Sequence, residues 1–324
     1  MLTLPFKKIS YKNVDIAGGK GASLGEMTRL CQGSGGQAAA KMKIPPGFVV
    51  LAPTFDRFLE ETDLIAEIEA KIKLVKPDDI NTVDKASNEI RDMILDSKMP
   101  KDIAVEVIKD YDKLGAKEVA VRSSATAEDS SIASWAGELE TYLNVTRKNL
   151  LESVKKCWAS LFTPRAIFYR FEKNLADAKV SVAVVIQKMV QSEISGICFT
   201  VHPVTCDGNQ LVIEAGFGLG EAIVGGMVTP DTYVVHKNKG DAYILDKNIS
   251  SQEMMIIKTA KGTREAKVPA AKQEKQKLSD SQILKLTEVC LLIEKHYGKP
   301  QDIEWAIAKN KIYITQSRPI TTLG

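Results

Sequence analysis

Residues 119–145, VAVRSSATAEDSSIASWAGELETYLNV, start as a core strand and turn polar after three residues. Val119, Ala120 and Val121 read as buried. Arg122 follows at once, with Ser123, Ser124 and Thr126 behind it. A guanidinium at the end of a buried strand is costly unless its planar fork is paired, and phosphate is its best bidentate partner. The pattern implies either a phosphate contact supported by hydroxyl hydrogen bonds, or an internal ion pair with Glu128 or Asp129. Gly137, in SWAGELE, would let backbone N–H groups close over a phosphate; the plainer alternative is a turn before TYLNV. Upstream, GGKG at 18–21 allows close backbone approach, and Lys20 sets a point charge beside a helix N-terminus. The alternative there is a flexible turn with a solvated lysine. The G-x-x-x-x-G-K-[ST] pattern of a P-loop is absent.

The C-terminal segment DIEWAIAKNKIYITQSRP carries a second constellation. Period two puts Asp302 and Glu304 on one strand face, and Gln316 and Arg318 on one face of the next strand. A hairpin pairing residues whose numbers sum to 620, through a three-residue loop Lys309–Lys311, sets Glu304 against Gln316 and Asp302 against Arg318. A carboxylate beside an amide oxygen suits Mg²⁺, a hard cation that takes oxygen ligands and shares phosphate oxygens. The alternatives are a solvated polar face, or a two-residue loop that sends the two polar sets to opposite faces. Gln187 and Met189, two apart in VVIQKMV, share a face on which a flat base could pack, Met being a polarisable filler; otherwise Met189 is simply core. Gly216, Gly218 and Gly220 form G-x-G-x-G, a weak dinucleotide signal, and place Glu221 where it could reach a ribose hydroxyl.

These residues need elements to hold them. GGKGASLGEMTRL predicts a glycine-rich turn feeding a helix, and CQGSGGQAAAKMK predicts an exposed loop. IPPGFVVLAP is a strand, residues 54–114 are helical, and VSVAVVIQKMV is a β-branched strand. Short strands follow: SGICFTVHP, NQLVIEAGFG, DTYVVHK and AYILDKNI. One amphipathic helix runs from an N-cap at Ser279 to Gly298. A helix-rich part thus precedes a strand-rich part, with a seam near 187–195 and domains expected at 1–190 and 191–324.

The 324 residues carry 44 Lys+Arg against 41 Asp+Glu, so charge makes no case for nucleic acid or an anionic membrane as partner. Five cysteines without a C-x-x-C pair and three histidines argue against a disulfide framework and a Cys/His zinc site. No apolar run approaches the ~20 residues of a membrane span, and the N-terminus lacks a signal-peptide core. A cytoplasmic protein is expected.

Together, GGKGASLGEM, IPPGFVV, AVRSSATAEDSSIASWAGELETYLNV, CWASLFTPRAIFYR, AVVIQKMV, SGICFTVHPVT, FGLGEAIVGGMVTPDTY and DIEWAIAKNKIYITQSRPIT resemble the ATP-binding portion of the phosphoenolpyruvate synthase and pyruvate phosphate dikinase family. They also resemble that of rifampicin phosphotransferases. The resemblance implies an α+β, ATP-grasp type fold whose two lobes enclose a nucleotide cleft. It implies phosphate contacts from Lys20 and Arg122, adenine contacts near Gln187 and Met189, and Mg²⁺ ligation by Glu304 and Gln316, supported by Asp302 and Arg318. ATP would pass a (pyro)phosphoryl group to a histidine on a separate swivelling domain, and from there to pyruvate or to an antibiotic hydroxyl. The T-S-H motif of that domain is absent, and His202, His236 and His296 do not match it. The chain stops at Gly324, where full-length members continue, so a piece of a longer enzyme or half of a split one is expected. The 31–43 segment is longer than in the family. A non-catalytic ATP-binding regulatory protein is the alternative of another class; Lys20, Arg122, Glu304, Gln316 and Arg318 all being present speaks for the enzyme.

Overall fold

The computed structural model describes residues 1–33, 36–126, 129–130, 133–134, 140–173, 175, 181–238, 241–259 and 262–321. The first half of the chain runs β1 (Thr3–Pro5), α1 (Val14–Gln32), α2 (Gly36–Ala40), β2 (Met42–Lys43), β3 (Gly47–Val50), α3 (Ala52–Glu61), α4 (Leu64–Lys73), α5 (Ile80–Asp96), α6 (Lys101–Leu114), β4 (Val119–Ala125), β5 (Asp129–Ser130), β6 (Ala133–Ser134), β7 (Thr141–Val145), α7 (Leu150–Ala159) and α8 (Pro164–Glu172). It continues with β8 (Val182–Lys188), β9 (Ile194–Phe199), β10 (Gln210–Phe217), α9 (Glu221–Val224), β11 (Asp231–His236), β12 (Tyr243–Asn248), β13 (Met254–Thr259), β14 (Gly262–Lys267), α10 (Ala270–Gln273), α11 (Asp280–Tyr297), β15 (Gln301–Ala308) and β16 (Lys311–Pro319). The architecture is mixed α and β. The chain divides into two compact units, residues 1–26 with 46–189 and residues 27–45 with 190–324.

The first unit is built on an antiparallel sheet in the order β1-β3-β8-β4-β7. Strand alternation sends Phe48, Val50, Val121, Val184 and Ile186 to one face, where they join the buried residues of the helices. Trp158 of α7 lies at the centre, its ring 5.4 Å from Phe55 and 4.9 Å from Phe58 of α3. Burying each such side chain contributes roughly 1.5–3 kcal/mol, so this apolar face anchors the sheet and leaves the other for polar work. The helices stop where expected: α6 follows Pro100 and ends at Gly115, whose φ of 60° suits a residue without Cβ.

The second unit carries a seven-stranded sheet in the order β12-β11-β10-β9-β15-β16-β2, antiparallel except at the β16–β2 edge. Buried Ile283, Leu286, Val289, Cys290 and Ile293 recur at helical spacing along α11, and buried Cys198, Ile213, Ile303 and Trp305 share one sheet face. Ser279 and Gln282 form a capping box at the start of α11, and Gly298 ends it with φ 67°.

Two segments differ from the sequence expectation. Residues 31–43 were expected as an exposed loop; instead α1 extends to Gln32, α2 forms over Gly36–Ala40, and β2 pairs with β16. Ala38–Ala40 favour helix, and Ala39 and Met42 are buried, which ties the segment down. Residues 34–35 lie outside the described residues. Between 250 and 278, where no element was read, β13 and β14 form a hairpin. An isolated two-stranded hairpin is marginal in water. This one is held by Ile256, which packs with Leu219 and Ala222 beside α9.

Asp231 and Lys277 form a fully buried ion pair at 2.7 Å. The Asp231 carboxylate also accepts from the backbone N–H of Ser250 and Lys277 and from the Tyr233 hydroxyl, so its lone pairs are well used. Removing one partner leaves a buried charge uncompensated. Lys277→Met is expected to destabilise the second unit by about 3–5 kcal/mol, read as a lower denaturation midpoint in urea.

Candidate functional site

In the first unit, the face opposite the apolar core carries Arg122 and Gln187. β4 and β8 pair with Arg122 opposite Val185 and Gln187 opposite Ala120. Arg122 and Gln187 therefore share a face on diagonal positions, roughly 7–8 Å apart between backbones. Both are buried, and Gln187 Nε2 has no hydrogen-bond partner among the described residues. A buried amide left so is costly unless something else accepts its proton. Met189 lies just past β8, half-buried, its N–H donated to the Glu118 carbonyl at 3.2 Å.

The glycine-rich turn is stapled to the same face. Ser124 Oγ donates to the Ala17 carbonyl at 3.1 Å and accepts from the Gly21 N–H at 3.3 Å. Gly18 has φ 66°, and a Cβ there would stand 2.2 Å from the Ser124 carbonyl oxygen. Only glycine fits this contact. Lys20, two residues on, is half-buried, and its ammonium opposes the upward push that burial gives the Cys157 thiol.

The hydroxyls fare differently from one another. Ser123 points to the other face, donating to the Glu140 carbonyl at 2.7 Å, so its single proton is spent inside the fold. Thr126 donates to the Ser181 carbonyl at 3.1 Å. Glu128 and Gly137 lie outside the described residues, as does the side chain of Asp129.

In the second unit, β15 and β16 pair Glu304 with Gln316 and Asp302 with Arg318. The turn is not the three-residue loop expected. Lys309 and Asn310 form a two-residue turn with φ 50° and 56°, and pairing begins at Ala308–Lys311. A bulge opposite the Glu304–Trp305 step then takes up Thr315, whose hydroxyl donates to the Glu304 carbonyl at 3.2 Å. The extra residue returns Gln316 and Arg318 to the face of Glu304 and Asp302.

Arg318 donates from Nε at 2.8 Å and Nη2 at 2.7 Å to the same Oδ2 of Asp302. That oxygen is engaged by a cation, which fixes the Arg318 guanidinium beside Asp302. Burial pushes the Asp302 carboxyl above the usual carboxylate range; Arg318 opposes the shift and Glu304 adds to it. Sequence reasoning missed Glu214. It pairs with Ile197 of β9, which pairs on its other edge with Glu304, so the two glutamates share a face two strands apart, roughly 9–10 Å. Burial, with Asp302 adding to it, also holds the Glu214 carboxyl up. The signal was a single acid inside the apolar run VIEAGF.

Glu221 is exposed at the first position of α9, after Gly218 with φ 92°. No group of three His, Cys, Asp or Glu that could cage a metal occurs among the described residues. An oxygen pair such as Glu304 and Gln316 fits a cation that completes its shell with phosphate and water, as Mg²⁺ does. No helix among the described residues is long and apolar enough to cross a membrane.

The comparisons with known proteins define the class as a nucleotide-binding domain. The chain belongs to the family described as pyruvate phosphate dikinase, AMP/ATP-binding domain, which it matches over residues 14–324. It is 47% identical over 324 residues to a probable phosphoenolpyruvate synthase of Methanocaldococcus jannaschii, covering 98% of this chain and 26% of that protein. A probable phosphoenolpyruvate synthase of Archaeoglobus fulgidus is 47% identical over 97% of this chain and 41% of its own length. The rifampicin phosphotransferase of Bacillus subtilis is 38% identical over 99% of this chain and 36% of its own length. The chain therefore spans less than half of these relatives.

Glu214 binds its proton more tightly folded than unfolded, so folding takes up protons and stability falls as pH rises from the ordinary carboxylate range through the raised folded value. Glu214→Gln should flatten that decline, seen in urea midpoints measured from pH 4 to pH 7. An unchanged slope would mean the carboxyl titrates normally.

Proposed function

We propose that this chain is the Mg·ATP-binding part of a pyruvate,water dikinase of ATP-grasp type, with functional lobes at residues 1–190 and 191–324. The observation that carries the reading is the Glu304–Gln316 pair, aligned by the Thr315 bulge beside the Asp302–Arg318 pair. Lys20 and Arg122 neutralise phosphate oxygens, with the Gly137 backbone as a further contact; Thr126, like Ser123, gives its hydroxyl proton to a backbone carbonyl inside the fold. Gln187, a buried amide whose Nε2 has no acceptor among the described residues, and Met189 receive the adenine. Glu221 meets the ribose. Ser123, its proton given to Glu140, supports β4 rather than the phosphates.

Glu304 and Gln316 would hold Mg²⁺, which supplies charge neutralisation at the phosphates. Arg318, steadied by Asp302, adds a second cation for charge developing on the transferred group. A histidine nitrogen from a separate swivelling domain attacks the β-phosphorus; its bond to the α-phosphate bridging oxygen breaks and AMP leaves. The chain's own side chains position and neutralise, which is most of what phosphoryl transfer asks of a protein. The histidine then carries both the β- and γ-phosphoryl groups; water takes the γ-phosphate off as inorganic phosphate, and the remaining phosphohistidine serves an acceptor-substrate domain. Pyruvate is the acceptor favoured by identities that reach 47% to synthases against 38% and 40% to two rifampicin phosphotransferases, whose antibiotic acceptor is the second reading. The reaction places the protein in the cytoplasm, with its ATP.

Two substitutions test this by titration calorimetry with ATP, with and without Mg²⁺. Glu304→Ala should abolish the Mg²⁺-dependent part of ATP affinity while leaving the thermal midpoint within a few degrees; unchanged magnesium dependence rejects the metal assignment. Arg122→Lys, which swaps a fork for a point charge, should weaken ATP binding about tenfold to a hundredfold, the range for one charge-assisted hydrogen bond. Equal affinity would mean Arg122 is an internal structural cation.

A further inference from the structure

Strand β10 outruns its neighbour. Its last pair with β11 is Ala215–Asp231, and β11 is preceded by Pro230, which has no N–H to give. Phe217 therefore leaves the sheet with one backbone edge uncovered by a strand. On its other edge, Phe217 pairs with Ile194 of β9 and Gly218 donates to the Glu193 carbonyl at 3.0 Å.

The buried side chain of Gln252 fills the missing place. Its Oε1 accepts from the Phe217 N–H at 2.8 Å, and its Nε2 donates to the Phe217 carbonyl at 3.1 Å and to the Met254 carbonyl at 2.9 Å. A side-chain amide here continues the ladder as a backbone amide would. Gln252 is 1% exposed, and all three of its bonds lie within the second unit. The Lys277 ammonium, fixed by Asp231, lies 5.6 Å from the centre of the Phe217 ring.

The residues after Phe217 are held as closely. The Gly218 carbonyl accepts from Ser192 and Ser195 hydroxyls, each at 2.8 Å, and the Leu219 N–H donates to Ile256 at 2.9 Å. Gly218 has φ 92°, and a Cβ there would meet the Ile256 carbonyl at 2.5 Å. Three residues beyond Gly218 the chain presents Glu221 on the first turn of α9. A four-residue helix cannot hold its own orientation, because helix nucleation is unfavourable and so short a segment gains few bonds. Its direction comes from the strand end that feeds it, together with the packing of Ala222 on Leu219 and Ile256.

We infer that Gln252 is a positioning residue that aims Glu221 at the ribose of the bound nucleotide. This rests on the Mg·ATP reading above, and specifically on Glu221 as the ribose contact. Gln252 touches no nucleotide atom; it acts through the peptide of Phe217. The segment carrying it, 250–254, is thereby part of the nucleotide site's framework rather than a linker between β12 and β13.

The test compares ATP with 2′,3′-dideoxy-ATP, which lacks both ribose hydroxyls, by titration calorimetry on the full chain with Mg²⁺. The unsubstituted protein is expected to prefer ATP about tenfold, the value of one well-made hydrogen bond. Gln252→Met should erase that preference by weakening ATP and leaving dideoxy-ATP unchanged, and Glu221→Ala should do the same with no further loss when the two are combined. Because Gln252 is buried, Gln252→Glu stands beside it, keeping the acceptor for Phe217 and removing the donors; it should lower the preference part of the way. Equal weakening of both nucleotides, or a full preference retained in either folded variant, overturns the inference. Absence of any preference in the unsubstituted protein removes the ribose contact and this positioning role with it, while magnesium-dependent ATP binding would still support the broader reading.

Discussion

The register of β15 against β16 decides which atoms the second unit can offer a ligand. From the turn, Ala308–Lys311 through Trp305–Ile314 pair residues whose numbers sum to one less than those of Glu304–Gln316 and Asp302–Arg318. Without the bulge at Thr315, Gln316 and Arg318 would fall on the face occupied by Ile303 and Trp305. Side chains alternate with period two, so one residue moves the whole set across the sheet. An arginine there would lie among Cys198, Ile213 and Ile303, all of them fully buried. The register is thus enforced from both sides, by the cost of burying Arg318 and by the apolar residues that need the other face. The polar face it leaves is not neutral. Glu214, Asp302 and Glu304 share it, and burial already holds two of these carboxyls above their usual range.

The first unit solves the converse problem. Its apolar face is filled by Trp158, Phe55 and their neighbours, and its other face carries Arg122 and Gln187 in buried positions. The glycine-rich turn reaches that face only because Gly18 has no Cβ, and Ser124 bonds to it on both sides of the kink. Lys20 is therefore carried by a turn anchored to the strand that carries Arg122. The alternation that turns Ser124 toward this loop turns Ser123 away from it. Two adjacent serines with the same chemistry are separated in role by strand parity alone.

What could be read from the sequence follows the same logic. The Glu304–Gln316 and Asp302–Arg318 pairs were legible because period two and a trial register are enough to place them. The path to that register was not: φ above zero at Lys309 and Asn310 gives a two-residue turn, and nothing local in YITQSRP marks Thr315 as the bulged residue. Glu214 escaped because its partnership with Glu304 runs across β9, and a contact between strands 90 residues apart has no spacing signature. Residues 31–43 looked like a loop because Gly33–Gly36 dominate the composition; the burial of Ala39 and Met42 and the pairing of β2 with β16 are tertiary. The β13–β14 hairpin went unread for a related reason, since its stability comes from Ile256 packing beside α9 rather than from its own sequence.

The two units hold charges of opposite sign, and this bears on what they bind. Arg122 shares a sheet face with the buried Gln187 amide, and the turn that carries Lys20 is anchored to the same strand, so donors predominate there. Glu214, Asp302 and Glu304 sit on another with Arg318 as a cation engaged by Asp302, an arrangement that a further cation relieves. A magnesium nucleotide carries both signs in one molecule. Low dielectric makes such buried polar groups costly to strip of partners, so each unit's polar face is demanding about what approaches it.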